Sequence, residues 1–320
     1  MVLVANALAC PSSPIRMIVL AGLDLPPHWN LYGAEMAAAH DLVVVGTAGA
    51  AMSAGIAARA QGARVLLIER AVVGGTCLTI GCVPAKTLLA AAGPRADAGR
   101  NPFPGATTAA SGAAHLSALG SQQDALVEQL RGSTCLVVAA ADGFEIRPGH
   151  TVFDGPDLLL TDGAPVLAVA DLVATGAQPA RPDLPGLDTV HALTSTTAMA
   201  LTVLLDSLVI IGGGYVGMER AQLLAGLGTR VTLVGRLAPL TEPELADVLR
   251  AAFAADGVTV VEQRPIRVER TGSDVTGHPT DGRQVRAEQL LVATGRSPRN
   301  KELLPMRQRS TGRPRLHRRD

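Results

Sequence analysis

The stretch GGTCLTIGCVPAK at residues 74–86 places two cysteines five positions apart, between glycines and just before a proline and an apolar run. This pattern predicts a loop that enters a helix at its reactive end. A helix N-terminus presents unpaired amides and a partial positive charge, and both stabilise a thiolate relative to a thiol. The pattern therefore favours a disulfide between Cys77 and Cys82 that cycles between oxidised and reduced forms.

Two other interpretations of these cysteines stay open. Zinc sites usually consist of two close pairs of ligands, whereas the remaining cysteines, Cys10 and Cys135, stand alone in the sequence. A purely structural disulfide across so short a loop would restrain little of the chain. Redox chemistry is the favoured interpretation of the three.

A strand, a turn, a helix and a second strand are predicted over residues 41–69. The first strand runs into the small-residue turn GTAGAA, and the second strand ends at an acid. Small residues below a helix N-terminus let backbone amides approach a pyrophosphate, and the acid can accept hydrogen bonds from a ribose. We predict a dinucleotide site because strand, helix and terminal acid are all in place. Tight packing alone is the alternative, since an alanine replaces the middle glycine of the usual pattern. The predicted binding residues are Gly46, Ala48, Gly49, Ala51 and Glu69.

The same arrangement recurs over residues 207–235, where the turn reads GGGYVG. Its spacing repeats that of the first unit, but the terminal acid is replaced by Gly235 followed by Arg236. A guanidinium in place of the acid suits a 2′-phosphate, so this unit is predicted to bind NADPH rather than NADH. The alternative is that Arg236 is an ordinary solvated residue. The predicted binding residues here are Gly212, Gly214, Gly217 and Arg236.

Other elements are predicted from the spacing of apolar residues. The second unit has strands at 207–211 and 230–234. The helix after the cysteine motif is expected to end at about Gly93, a further helix is predicted at 116–130, and a short strand is predicted around 136–138.

Length and composition restrict the possible functions. At 320 residues the chain is long enough for two domains, each with its own core. Acidic and basic residues number 28 each, which argues against a globally charged surface for nucleic acid or a membrane. Four cysteines are too few for a secreted disulfide scaffold, and no apolar run approaches the roughly 20 residues that a membrane span needs. We therefore expect neither a nucleic-acid partner nor a membrane partner.

Both end segments depart from the pattern of the body. Residues 1–39 fit no element well, and we predict a disordered extension there. Residues 297–320 are rich in arginine with hardly any apolar periodicity, which predicts a disordered tail. A nucleic-acid-binding arm is the alternative for the tail, but the neutral, enzyme-like body disfavours it.

The glycine turns, the cysteine motif and two Thr-Gly dipeptides together resemble the pyridine nucleotide-disulfide oxidoreductases. The match covers roughly Asp41 to Arg296, and the cysteine motif is its most specific part. Within the family, the first nucleotide loop is most similar to the mercuric reductase branch. The resemblance implies an α/β fold with two Rossmann-like three-layer domains. An FAD-binding domain with the redox disulfide would occupy 40–190, and an inserted NAD(P)H-binding domain would occupy 191–296.

The resemblance also implies a role for each matching residue. NADPH at the second glycine turn would reduce FAD, which would then open the Cys77–Cys82 disulfide. Cys82 would face the flavin and Cys77 would meet the substrate. Lys86, paired with Glu219, would lie near the flavin ring, and Tyr215 would cover the nicotinamide pocket. Further FAD-binding residues implied by the match are Gly75, Thr76, Lys86, Thr175, Gly176 and Gly295.

Hg(II) is the substrate that the resemblance favours. Soft thiolates are suitable ligands for this ion, so Cys77 and Cys82 would hold it transiently during its reduction. Two alternatives stay open: an organic disulfide such as lipoamide or glutathione, and a paralogue that only binds nucleotide or sequesters metal. Because the disulfide must be reduced again by NADPH and no targeting signal is recognisable, we expect a cytoplasmic location.

Part of the family pattern has no counterpart in this sequence. The family carries a later FAD-binding stretch and a dimerisation domain that contributes residues to the site across a homodimer. Neither is recognisable after Arg296. We therefore expect the isolated chain to bind FAD weakly and to reduce Hg(II) poorly or not at all.

Overall fold

The computed structural model describes residues 2–4, 39–99, 114–155 and 158–303. By its internal contacts the chain divides into two compact units. Unit 1 comprises the described parts of Met1–Val73, Leu136–Gly176 and Pro298–Asp320. Unit 2 comprises the described parts of Gly74–Cys135 and Ala177–Ser297. The cysteine motif therefore groups with the second nucleotide turn, while the domain boundaries predicted from the sequence stay a prediction.

Unit 1 is built on a five-stranded parallel sheet. Its strands are β1 (Val2–Val4), β2 (His40–Val45), β3 (Val65–Glu69), β4 (Glu145–Pro148) and β8 (Ala168–Val173). They lie in the order β1-β8-β2-β3-β4. β2 and β3 contain the continuous apolar runs 42–45 and 65–68, which is typical of parallel strands buried on both faces, and Val43 and Leu66 are fully buried. Helix α1 (Gly49–Arg59) connects these two strands, and α5 (Val137–Asp142) precedes β4.

A small antiparallel sheet completes unit 1. Its strands are β5 (Thr151–Phe153), β6 (Leu159–Thr161) and β7 (Ala164–Val166). Phe153 and Leu159 from this sheet pack in one apolar cluster with Val43 and Leu66 of the parallel sheet. The antiparallel sheet is therefore part of the same core.

Unit 2 repeats the parallel arrangement. Its sheet contains β10 (Leu193–Thr194), β11 (Ser207–Ile211), β12 (Arg230–Val234), β13 (Thr259–Val261) and β17 (Gln289–Val292). The order is β10-β17-β11-β12-β13, and all pairs are parallel. Helices α6 (Tyr215–Leu227) and α7 (Pro243–Ala255) connect strands of this sheet. Two parallel sheets, each with a strand-turn-helix-strand unit, confirm the predicted α/β class with Rossmann-like units.

The remaining elements of unit 2 are antiparallel strands and the cysteine segment. A three-stranded sheet consists of β14 (Pro265–Thr271), β15 (Asp274–Pro279) and β16 (Val285–Ala287), and β9 (Ala177–Pro179) pairs with β18 (Arg296–Pro298). The cysteine segment contains α2 (Gly75–Thr79), α3 (Cys82–Gly99) and α4 (Leu116–Leu130), followed by a π-helical turn at Arg131–Leu136.

Helix α3 packs along α6, which connects the cysteine segment to the second nucleotide turn. Lys86 contacts Glu219 near the start of the two helices. Two turns further on, a Cβ atom placed on Gly226 would lie 3.1 Å from the Cβ of Ala92. The two contacts advance together along both helices, so α3 and α6 run side by side in the same direction. A glycine at the second contact allows this close approach.

The predicted helices and strands agree with the structure at some places and differ from it at others. The helix at 116–130 and the strands at 207–211 and 230–234 have their predicted bounds. The strand predicted at 136–138 is wrong, because these residues belong to the π-helical turn and α5, where no strand pairs with them in the described structure. The helix expected to end at Gly93 continues through Pro94 to Gly99.

The two predicted disordered ends also contain structure. Val2–Val4 form a strand beside β8, and Arg296–Pro298 form another beside β9. Leu303 is buried and its backbone bonds to Phe153. Residues 5–38 and 304–320, the remainder of the two predictions, lie outside the described residues.

One helical stretch meets a simple criterion for a membrane span. Among the described residues, Gly75–Ala98 is long and apolar enough by length and composition, with a mean hydropathy of 1.3 in its best window. This differs from the sequence expectation that no run is long enough. A helix that packs inside a folded unit meets the same criterion, and this stretch packs along α6. The criterion by itself assigns no membrane span.

We predict that larger side chains at Gly226 separate α3 from α6. Gly226→Leu should lower the free energy of unfolding by about 1–3 kcal/mol, because a well-packed contact must open to admit the side chain. Gly120→Ala is the matched control, since Gly120 lies inside α4 with no described atom within 4 Å of its added Cβ. The control should gain up to about 1 kcal/mol from helix propensity. Equal effects of the two changes in urea denaturation would contradict the close packing.

Candidate redox and nucleotide-binding site

The turn after β11 requires glycine at specific positions. Gly212 has a φ of +116°, and a Cβ there would lie 2.4 Å from the carbonyl oxygen of Ala293. A Cβ on Gly217 would lie 1.8 Å from the carbonyl oxygen of Gly212. Gly214 caps the N-terminus of α6, and no described atom lies within 4 Å of its added Cβ. The turn is closed on its inner side and open at the helix N-terminus, the arrangement that admits a pyrophosphate.

The turn after β2 has the same geometry in unit 1. Gly46 has a φ of +118°, and its Cβ would lie 2.4 Å from the carbonyl oxygen of Ala174. Ala48 caps α1 with φ −75° and ψ 177°, almost the same angles as the −77° and 176° of Gly214. These are ordinary extended angles. The alanine in place of the middle glycine therefore causes no backbone strain.

Glu69 is held in place at the end of β3. Its Oε2 accepts a hydrogen bond from the Thr47 hydroxyl at 2.6 Å, and its Oε1 accepts one from the amide of Ala71 at 3.0 Å. Each carboxylate oxygen has a second lone pair with which it can accept a ribose hydroxyl. Glu69 thus ends β3, and its predicted role as an acceptor for a ribose stays a prediction.

Arg236 occupies the corresponding place in unit 2. It follows Gly235, whose φ is +141°, and its side chain is exposed. The guanidinium donates to the carbonyl oxygen of Pro239 at 2.8 Å. A guanidinium has five N–H donors, so the others can reach a phosphate. The predicted role in NADPH selection stays a prediction.

The two cysteines lie on adjacent short helices. Cys77 belongs to α2, Cys82 is the first residue of α3, and both are exposed thiols. A Cβ on Gly81 would lie 2.7 Å from the carbonyl oxygen of Thr76, so a glycine is needed where the chain turns between the two helices. A cavity of about 380 Å³ lies beside the second thiol and is lined by Cys82, Val83, Lys86, Thr87 and Leu126.

The Cys77 thiol holds its proton strongly in this dithiol form. Burial raises the pKa of Cys77 to about 11, and the hydrogen bond and negative charge of Cys82 add to the effect. Lys86 opposes the shift. The sequence analysis expected the helix N-terminus to favour a thiolate; for Cys77 the direction is the opposite. The surroundings of Cys77 therefore favour its protonated thiol.

A cluster of three charges joins α3 to α6. The Lys86 ammonium contacts one oxygen of Glu219, and the other oxygen accepts a hydrogen bond from Arg220 at 2.8 Å. The Lys86–Glu219 pair is the one that the resemblance implied. Sequence reasoning missed Arg220, which is only 3% exposed. The sequence signal that could have revealed Arg220 is a charged residue among the apolar positions of α6.

The structure assigns the remaining predicted site residues to one unit each. In unit 1, the carbonyl oxygen of Gly176, whose φ is +70°, accepts a hydrogen bond from the amide of Arg299. In unit 2, the carbonyl oxygen of Gly295, whose φ is +142°, accepts one from the amide of Ala180. Unit 1 holds Gly46, Ala48, Gly49, Ala51, Glu69, Thr175 and Gly176. Unit 2 holds Gly75, Thr76, Cys77, Cys82, Lys86, Gly212, Gly214, Tyr215, Gly217, Glu219, Arg236 and Gly295.

Neither unit contains an evident site for a resident metal. In the parts of the chain that the structure covers, no group of three His, Cys, Asp or Glu side chains could hold a metal ion. Cys135 is buried, and burial raises the pKa of its thiol. Cys10 lies outside the described residues.

We predict that Gly212 and Gly214 differ sharply in their tolerance of alanine. Gly212→Ala should lower the free energy of unfolding by at least about 1–3 kcal/mol, because the backbone conformation is strained for alanine and the Cβ clashes with a carbonyl oxygen. Gly214→Ala should be tolerated, because Ala48 has the same angles in unit 1. Chemical denaturation of both variants checks this, and similar losses would contradict it.

We also predict an unusual pH dependence of alkylation at Cys77. In the reduced chain, its rate of reaction with iodoacetamide should keep rising up to about pH 11, because the thiolate is the reactive form. Cys82→Ala should move the midpoint to lower pH, since the hydrogen bond and charge of Cys82 are removed while burial remains. Mass spectrometry measures the rate at each residue. An unchanged midpoint in the variant would show that the two sulfurs do not interact.

Curated proteins similar to this chain are longer than the part of them that it matches. It is 46% identical over 270 residues to a mercuric reductase of Streptomyces lividans, a match that covers 80% of this chain and 56% of that protein. Mercuric reductases of Staphylococcus aureus and Bacillus cereus are 37% and 39% identical and are covered over 49% and 42% of their lengths. The chain thus spans about half the length of the curated relatives it matches.

Solved structures and a family profile agree with these relatives. The Cu(II) complex of RclA, an HOCl-induced flavoprotein disulfide reductase from Escherichia coli, has a TM-score of 0.69 at 26% identity, over 83% of this chain and 58% of that one. The profile of the pyridine nucleotide-disulphide oxidoreductases matches residues 40–313. These matches confirm the resemblance found in the sequence, and the chain belongs to the pyridine nucleotide-disulphide oxidoreductase family.

Proposed function

We propose that this chain is an FAD-dependent, NADPH-consuming oxidoreductase that reduces Hg(II) at the dithiol of Cys77 and Cys82. The observation that carries the proposal is the position of this dithiol. Both thiols are exposed and Cys82 lines a cavity, and the helices that carry them belong to the same unit as the NADPH turn. The relatives at 36–46% identity that are named mercuric reductase support the choice of substrate.

The turn of unit 1 fits the adenosine and pyrophosphate part of FAD. Gly46 keeps the backbone close to β8, the N-terminus of α1 is open above Gly49, and Glu69 is oriented to accept ribose hydroxyls. Bound FAD would supply the two-electron transfer between NADPH and the cysteine pair. Thr175 and Gly176, at the end of β8, are proposed to line the same site.

The turn of unit 2 fits NADPH. The open N-terminus of α6 would face the pyrophosphate, and the exposed Arg236 would pair with the 2′-phosphate. Tyr215 starts α6 and is 48% exposed, so its ring is available to cover the nicotinamide pocket. These roles are proposals carried by position and exposure.

The dithiol suits a soft metal ion. Two thiolates can hold Hg(II), a soft ion for which sulfur is the preferred ligand. Reduction to Hg(0) consumes two electrons, which one NADPH supplies as it becomes NADP⁺ and releases a proton. Because Cys77 keeps its proton strongly, binding of Hg(II) by both sulfurs would displace that proton. Lys86, which lowers the pKa of Cys77, favours this loss.

An organic disulfide is the second candidate substrate. RclA, a structural neighbour, is named a flavoprotein disulfide reductase, and the thiolate of an exposed cysteine can attack a disulfide. In either case we propose a small-molecule or metal-ion substrate, a cytoplasmic location, and no nucleic-acid or membrane partner. We also propose that the intact protein is a homodimer, as the family resemblance implies.

We predict that NADPH oxidation by the chain depends on Hg(II) and on both exposed cysteines. With saturating FAD and excess thiol, Hg(II) should stimulate oxidation of NADPH, although at a low rate for the isolated chain. Cys77→Ser and Cys82→Ser should each lower that rate at least tenfold, because each removes one of the two sulfurs. Absorbance at 340 nm measures the rate.

Cys135→Ala is the matched control for these variants, because it removes a buried thiol outside the site. It should keep the rate of the unmodified chain. Stimulation by lipoamide or glutathione disulfide but not by Hg(II) would favour the second candidate. Hg(II)-dependent oxidation that survives loss of both exposed cysteines would contradict the proposed site.

A further inference from the structure

Arg220 is a buried cation that the proposed chemistry does not use. The buried residues of α6 are Gly217, Met218, Arg220, Ala221, Leu223, Leu224 and Leu227. Arg220 is the charged member of this set, and its side chain is 4% exposed. Removing a guanidinium from water is costly unless it is paired. The arginine should therefore have a partner that accounts for its place on this face.

That partner is the carboxylate of Glu219. Arg220 Nη1 donates to Glu219 Oε1 at 2.8 Å, while Nε has no hydrogen-bond partner among the described residues. Burial lowers the pKa of Arg220, but the charge and hydrogen bond of Glu219 and then the charge of Cys82 act against this shift. A guanidinium starts from so high a pKa that this one keeps its charge at neutral pH.

The same carboxylate also pairs with Lys86 through its other oxygen. The Lys86 side chain is 64% exposed, whereas that of Glu219 is 23% exposed. An ion pair with a solvent-exposed lysine is weak on its own, because two long side chains must be ordered to form it and water screens the charges. Because Arg220 already holds the Glu219 carboxylate from the buried side, that side chain loses less conformational entropy when it pairs with Lys86.

We propose that Arg220 is a positioning residue that holds Glu219 from the protein interior, so that its second oxygen is directed at Lys86 beside the cavity and Cys82. The inference concerns the site of the proposed function, but the geometry that carries it lies within unit 2. Arg220 acts through Glu219 and contacts neither substrate nor cofactor in this account.

The sequence offers an unusually clean probe of Lys86. Lys86 and Lys301 are the two lysines among the 28 basic residues of the chain. Reductive methylation with ¹³C-formaldehyde keeps the positive charge and labels both, together with the N-terminal amine. The ¹³C shift of each methylated amine reports on its own surroundings. Lys301 is exposed and lies in unit 1, so it serves as an internal reference.

Three variants define the result for the labelled chain without FAD, NADPH or Hg(II). Glu219→Gln removes the carboxylate, so this variant gives the ¹³C shift of the methylated Lys86 amine without its ion-pair partner. Arg220→Met keeps the length of the side chain without its charge or donors, and it should move the Lys86 signal at least halfway to that position. Arg220→Lys should return it towards the original position. The Lys301 signal should stay fixed throughout.

An unshifted Lys86 signal in Arg220→Met, with a clear shift in Glu219→Gln, would overturn the proposal. If Arg220→Met does not fold, as judged by circular dichroism, Arg220→Gln replaces it and is judged by the same criterion. Because the readout needs no turnover, a failure of Hg(II) reduction with these shifts intact would count against the proposed function alone. If the Lys86 signal does not shift in Arg220→Met while the unmodified chain still reduces Hg(II), only the role of Arg220 is contradicted.

Discussion

The contact between α3 and α6 is the constraint on which the rest of the site depends. Ala92 meets Gly226 at a distance that leaves little room for a side chain, and Lys86 meets Glu219 two turns earlier. The first contact is apolar and sets how close the helices come. The second is ionic and fixes their register. Together they attach the helix that begins at Cys82 to the helix that begins just after the second glycine turn.

A second constraint is the backbone of the two glycine turns. At Gly46 and Gly212 the chain adopts a positive φ and passes so close to a neighbouring strand end that a Cβ has no room. At the middle position the angles are ordinary, so Ala48 and Gly214 are equally acceptable to the fold. The two positions of the pattern thus serve different purposes: one closes the turn, and the other leaves space for a ligand.

Sequence reasoning predicted what depends on local pattern and missed what depends on packing. The helix at 116–130, the strand at 207–211 and both glycine turns follow from periodicity and turn chemistry, and the structure contains them. Val137 was misassigned because its strand preference is decided by neighbours that the sequence does not reveal. The burial of Arg220 likewise depends on packing around α6 that the sequence does not reveal. The raised pKa of Cys77 arises from burial and from a second sulfur brought close by the fold.

We propose that electrons from NADPH reach the Cys77–Cys82 pair through bound FAD. The most direct measurement starts from the oxidised chain saturated with FAD, adds NADPH without oxygen, and identifies newly labelled thiols by mass spectrometry. We expect Cys77 and Cys82 to become labelled with both cofactors present and to stay unlabelled with NADPH alone. An intact disulfide in the presence of bound FAD and NADPH would contradict it.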